Sequence, residues 1–188
     1  MLQLNFSPFP VIQTPRLFLR QMTKSDAPEI LFLRSSNEVM RYIGREKSKT
    51  IADAEDYLDK IAASINSNNG IMWAITFTGS PEKLIGYIGY WRIVPEHYRA
   101  EVGYMLHPDF WRQGIMKEAL TALSAYAFNK MGLHSIEATI NPGNEASARL
   151  LESLGFVKEA YFKEDYYFNG AFHDTIIYSL LQRNLIHG

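Results

Sequence analysis

The sequence predicts an α+β fold on a mixed, mostly antiparallel central sheet, and three observations predict it. Ile71 to Phe77 and Leu84 to Ile93 are β-rich runs separated by Thr78-Gly79-Ser80-Pro81-Glu82-Lys83, which reads as an antiparallel hairpin, and Arg99 to Leu106 adds the next strand. These strands come in succession before a helix, which rules against a purely alternating parallel fold. Val157 to Tyr167 and Phe172 to Leu181 flank Asn169-Gly170, the strongest hairpin signal in the chain. The expected order is β, α, α, β, β, β, α, β, α, β, β, with roughly six to seven strands and about four helices.

Each element has a local reason. Thr14-Pro15-Arg16-Leu17-Phe18-Leu19-Arg20-Gln21 alternates apolar Leu17 and Leu19 against Arg16, Phe18 and Arg20, as a strand with one buried face does. Asp26, Pro28 and Glu29 mark a helix start, where proline lacks only an amide that is unpaired anyway and acidic groups suit the dipole; this helix runs through Leu33. Asn37 to Lys49 is irregular and rich in Arg, Lys and Glu, hence a loop with access to a substrate. Thr50 with Asp53 forms an N-cap arrangement, and Ala54, Leu58, Ile61 and Ile65 follow at helical spacing until Asn66-Ser67-Asn68-Asn69-Gly70 stops the helix.

From Gly114 to Lys130 the positions Ile115, Ala119, Ala122, Leu123, Tyr126 and Ala127 form one apolar stripe. Ser135 to Ile140 is a short strand. Asn144 then caps a helix carrying Leu150, Leu151 and Leu154, and Gly155 ends it with Phe156 folding back onto the last turn.

Composition bounds the function. A chain of 188 residues with 47% apolar and 13% aromatic content fits one domain, residues 1–188, and excludes a disordered or fibrous reading. No window approaches a membrane span and no basic, then apolar, leader opens the chain, so a cytoplasmic protein away from membranes is expected. Zero cysteines excludes disulfides, thiolate metal sites and a covalent thioester on the protein. A net charge of −1 lacks the basic footprint of a nucleic-acid binder. His97, His107, His134, His173 and His187 show no metal-ligand spacing, so no metal is expected. Trp73, Trp91 and Trp111 are read as core or rim packing.

The chain is organised around Glu101 to Leu120, a strand running through a short loop into a helix. Where helical periodicity begins, at Gln113-Gly114-Ile115-Met116, first-turn amides point outward without partners. Such a start carries about half a positive charge, and Gly114 has no Cβ to keep a ligand off the backbone, so phosphate is the natural guest. A triphosphate-binding reading of Gly114 fails because no GK[ST] follows it.

Those residues, in this order, resemble the GNAT superfamily of acetyltransferases, and within it the RimJ/RimL-type branch. The likeness is carried by Thr14 to Arg20, Trp73-Ala74-Ile75, Leu84 to Gly89, Glu101 to Pro108, Trp111 to Leu120, Asn141, Asn144, Ser147, Leu150 to Phe156, and Asn169-Gly170 to Asp174. It implies the GNAT fold, with the sheet splayed between its fourth and fifth strands. It implies binding of acetyl-CoA and acetyl transfer to a primary amine by direct attack in a ternary complex. A protein or peptide N-terminal α-amine is the leading acceptor. A small amine, amino acid or antibiotic is the alternative, and from another class a non-catalytic acyl-CoA binding module.

The resemblance further implies that the coenzyme diphosphate lies on the amides of Arg112, Gln113, Gly114, Ile115, Met116 and Lys117. The pantetheine arm would pair with the backbone of Met105, Leu106 and His107, where a bulge splays the strand from the next one, and an amide near Met105 or Leu106 would stabilise a developing oxyanion. Asn144 and Asn141 are further coenzyme contacts. Met116 stands where the family has Gly or Ala, Trp111 where it has Gln or Arg, and Leu151 where many members carry a proton-donating tyrosine. Glu101 is the candidate base, with Asp165 and Glu164 behind it, and Ser147 the candidate acid; Glu101 in a solvated pair with Arg99 or another neighbouring base, and Ser147 as a helix-cap hydroxyl, are the alternatives. Monomer and homodimer both remain open.

Overall fold

The computed structural model of the chain describes residues 1–185, so His187 lies outside the described residues. It has a mixed eight-stranded sheet in the order β1-β2-β3-β4-β5-β6-β8-β7. The strands are β1 (Ile12–Gln13), β2 (Leu17–Gln21), β3 (Ile71–Phe77), β4 (Gly86–Val94), β5 (Arg99–Leu106), β6 (Ser135–Ile140), β7 (Val157–Phe168) and β8 (Ala171–Leu181). The helices are α1 (Ala27–Ser35), α2 (Ile51–Asn66), α3 (Ile115–Tyr126) and α4 (Glu145–Glu152). The eighth strand is β1, whose two residues pair with Phe18 and Leu19; so short a strand has no periodicity to read. No helix among the described residues is long and apolar enough to cross a membrane.

Every neighbouring pair is antiparallel except β5 and β6, which run parallel. That pairing covers only Arg99↔Ser135, Ala100↔Ile136 and Glu101↔Glu137. Beyond Glu101 the strands part, because β6 stays in register with β8 as far as Ile140↔Ile176 while β5 stays with β4 as far as Leu106↔Gly86. The splay is therefore where the resemblance implies it. The bulge is elsewhere: the register slips on β4 between Trp91 and Val94, at Arg92 with φ 46°, rather than on β5 near Met105 to His107. An extra residue there increases local twist and turns the start of β5 away from a flat sheet.

Two layers of helix sandwich the sheet. Tyr87 faces α2, its ring 5.9 Å from that of Tyr57. Tyr90, three residues on and so on the other face, donates from its hydroxyl to the Leu123 carbonyl of α3 at 3.1 Å. In α2 the Thr50 and Asp53 side chains make a reciprocal capping box, and Ala54, Leu58, Ile61 and Ile65 are the buried set.

The apolar stripe of α3 is rotated from the expected one. Met116, Leu120 and Ser124 are buried beside Ile115, Ala119 and Leu123, whereas Ala122 and Tyr126 are half-buried. The expected helix also stops being α-helical at Tyr126 and ends in a wider π turn, Ala127–Met131, closed by left-handed Gly132. In α4 the end reads as expected, with the Phe156 amide donating to the Leu151 carbonyl at 3.1 Å and Phe156 buried.

Candidate active site

The parting of β5 and β6 opens a cavity of about 310 Å³. Tyr87 and the strand from Glu101 to Met105 line it, together with Asn141, Asn144 and Ser147 and with Arg34, Arg45, Tyr57 and Lys60. Sheet, loop and three helices thus supply a site that no local segment contains.

Glu101 is the one carboxylate among the residues lining this cavity. Its side chain is only 6% exposed, with Oε2 accepting from Arg92 Nη1 at 3.3 Å, while the arginine itself is largely in solvent. Burial pushes the Glu101 pKa above its ordinary value; Arg92 and the Thr139 hydroxyl oppose that shift, Glu137 adds to it, and Arg45 opposes it. Glu101 does not pair with Arg99, which Glu137 holds; the pair expected with a neighbouring basic residue is the one to Arg92, with the carboxylate buried rather than solvated. A carboxylate held in this state is a competent proton acceptor for an ammonium.

The loop before α3 is exposed from Trp111 to Gly114. Gly114 is the N-cap of α3 at φ 74°, a left-handed conformation that suits glycine, and no side chain caps the turn. The only atom within ordinary contact of a Cβ placed there is Arg16 Nη2, 3.5 Å away. Arg16 holds the loop in place: its Nη1 donates to the Gln113 carbonyl at 3.0 Å, and its Nε donates to Glu118 on the first turn of α3 at 2.6 Å. Met116 points into the core, so its bulk does not crowd the open amides. Ile115 is buried and Lys117 exposed, and Arg112 sits at φ 59°. This start can accept an anion on backbone donors.

Met105, Leu106 and His107 do not face the gap together. The His107 amide donates to the Ile85 carbonyl at 2.8 Å, which fixes the parity of the strand. Main-chain groups of Met105 and His107 therefore face β4, and those of Tyr104 and Leu106 face the open edge. The Leu106 carbonyl accepts from Trp111 Nε1 at 2.8 Å, a tie from loop to strand. The His107 ring stacks on Phe32 with centroids 4.4 Å apart.

At the α4 side, Asn144 Oδ1 accepts from the Ser147 amide at 3.2 Å and Asn141 Oδ1 from the Gly143 amide at 2.9 Å. Capping thus uses the Ser147 amide and leaves its hydroxyl for other work. Leu151 is fully buried. The sequence offered no reason to single out Tyr104, yet its hydroxyl oxygen is buried without a hydrogen-bond partner. Burial pushes its pKa up to about 12, opposed by the Ser147 hydroxyl. The Ser147 hydroxyl is its polar neighbour but falls short of a well-formed hydrogen bond, so the buried Tyr104 hydroxyl is only weakly satisfied.

Glu164 and Asp165 are not among the cavity's lining residues. The Asp165 carboxylate accepts from the Thr175 hydroxyl at 2.6 Å, and the Glu164 amide donates to Asp174 at 2.8 Å. The loop expected to have access to a substrate, 37–49, lines the cavity through Tyr42, Ile43 and Arg45. Residues 95–98 and 163–169 contribute no lining residue, although Tyr166 packs against Gly44.

The sequence model of the acetyltransferase (GNAT) domain matches residues 16–157. The chain is 39% identical over 174 residues to the uncharacterized N-acetyltransferase YoaA of Bacillus subtilis (strain 168), covering 93% of this chain and 98% of that one. The solved ribosomal-protein-S5-alanine acetyltransferase of Vibrio fischeri superposes with a TM-score of 0.79 at 26% identity, over 95% of this chain and 100% of that one. The spermidine N-acetyltransferase of Vibrio cholerae, solved with CoA and spermine, shares the fold with a TM-score of 0.80 at 23% identity, over 91% and 98%. The chain belongs to the GNAT family of acetyltransferases.

Proposed function

We propose, with that membership as the premise, that the chain moves an acetyl group from acetyl-CoA to a primary amine, a protein or peptide N-terminal α-amine being the leading acceptor. It acts as one domain over residues 1–188, by direct attack in a ternary complex. Glu101 carries the reading: a buried carboxylate with a raised pKa stands in the cavity where β5 leaves β6. An α-ammonium of pKa about 8 surrenders its proton to such a base more readily than a lysine of about 10.4. The likeness to the S5-alanine enzyme supports an N-terminal acceptor and the RimJ/RimL-type branch.

The residues present fit the coenzyme. The uncapped turn from Arg112 to Lys117, approached over Gly114, holds the diphosphate, and the free edge of β5 at Tyr104 and Leu106 runs beside the arm, with Asn141 and Asn144 across the gap. In the reaction the amine nitrogen bonds to the acetyl carbon and the carbon–sulfur bond breaks. Glu101 takes the proton of the ammonium, the departing thiolate takes one from the Ser147 hydroxyl with Tyr104 behind it, and the proton that the nitrogen sheds as the amide forms restores that hydroxyl. With no cysteine in the chain, no thioester forms on the protein.

Calorimetry with acetyl-CoA, paired with thiol release over peptides, free amino acids and polyamines, tests this. Binding with turnover on peptide N-termini is expected. Binding without turnover on any amine would instead make the chain an acyl-CoA binding module.

A further inference from the structure

Among the residues lining the cavity, positive charge outnumbers negative. Arg34, Arg45 and Lys60 line it against the single carboxylate of Glu101. Glu101 already has a cation, Arg92. Among the described residues none of the three lining cations forms a salt bridge. Arg34 is the most telling. Its Nε is buried with no partner, its Nη1 reaches only the Tyr87 hydroxyl at 3.4 Å, and its guanidinium lies 3.9 Å over the Tyr57 ring.

A guanidinium held over an aromatic ring, with no carboxylate of its own, is set up for a planar anion. Arg45 is fixed in the same manner, 4.7 Å over the Trp91 ring. Arg34 Nε is sealed from contact, so an arriving carboxylate meets the charge and the terminal nitrogens of the guanidinium. A polyamine would bring more positive charge to the same wall.

We propose that the acceptor carries a carboxylate close to its reacting amine, seated on Arg34 with Arg45 and Lys60 flanking it. This rests on the amine-acetylation reading and deepens it. The carboxylate has two possible sources: an acidic side chain at the start of a peptide, or the α-carboxylate of a free amino acid.

The test is thiol release at fixed acetyl-CoA with matched acceptors. They are a peptide with Asp or Glu at its second position against its Asn or Gln twin, a free amino acid against its amide, and spermidine. Whichever arm shows the preference identifies the source. The acidic member is expected to exceed its neutral twin in kcat/KM by about tenfold or more, with the ratio shrinking as salt rises. Arg34→Gln should bring that ratio to within about twofold of one while acetyl-CoA affinity by calorimetry stays unchanged. Arg45→Gln, on an exposed residue, should lower the ratio as well and serves if Arg34→Gln does not fold. Equal use of both twins, a preference for spermidine, or a ratio that survives both substitutions overturns the proposal. Turnover on none of the acceptors would remove the amine-acetylation reading itself, and this proposal with it.

Discussion

Replacing Glu101 by glutamine keeps the volume of the side chain and removes its ability to take a proton. The carboxylate is buried and has the cavity to itself, so no other lining carboxylate replaces it. Loss of a positioned base lowers turnover by about 10²- to 10⁴-fold. The deficit should depend on pH in a definite way. With an α-amine of pKa about 8, roughly a tenth is neutral at pH 7 and roughly nine tenths at pH 9. The Gln variant should therefore recover about ninefold in kcat/KM over that range, while the parent, whose base removes the proton on the enzyme, gains less. Stopped-time thiol release on a peptide acceptor at both pH values gives the comparison, and calorimetry should return the parental acetyl-CoA affinity.

Stability supplies the control. Burial raises the Glu101 pKa, so the folded state holds this proton more tightly than the unfolded chain. The ionised group then costs stability above the raised pKa, and the cost fades as pH falls through the window down to the ordinary carboxylate value. Arg92 is too exposed to offset this strongly. The variant should melt no lower than the parent at pH 7. A drop in turnover of less than about threefold, or a larger drop that pH 9 does not relieve, would refute the assignment of Glu101 as base.

Two further substitutions test neighbouring arguments. Tyr104→Phe deletes a buried hydroxyl that has no partner, so the melting temperature should hold or rise while thiol release slows; an unchanged rate would remove Tyr104 from the proton path. Asp26→Asn breaks a carboxylate that is 2% exposed and accepts from both terminal nitrogens of Arg20, at 2.8 and 2.6 Å, and from the Thr23 amide. Leaving that guanidinium without its counter-charge should cost about 3 kcal/mol or more in denaturant unfolding.

What the sequence made legible was local. The Arg99 to Leu106 and Ser135 to Ile140 strands, the Thr50 cap with the buried face of α2, and the Asn169-Gly170 hairpin follow from spacing and turn chemistry. Where prediction slipped, the deciding partner was distant. The buried face of α3 is turned from the expected stripe, since Met116, Leu120 and Ser124 are buried while Ala122 and Tyr126 are only half-buried. The backbone of His107 looked free until its bond to Ile85, far earlier in the chain, fixed which edge of β5 is open.

Taken alone, then, the sequence determined the main elements, their order and the exposed helix start at Gly114, because capping, periodicity and backbone freedom act within a few residues, while Glu101 came forward through the family resemblance. Only the tertiary structure decided that β5 and β6 part after Glu101, that Arg92 and not Arg99 reaches its carboxylate, and that Arg34 and Tyr104 stand in the same cavity with donors unspent. Burial, pairing and charge balance are properties of what the chain brings together across the sheet, and no stretch of sequence holds both partners.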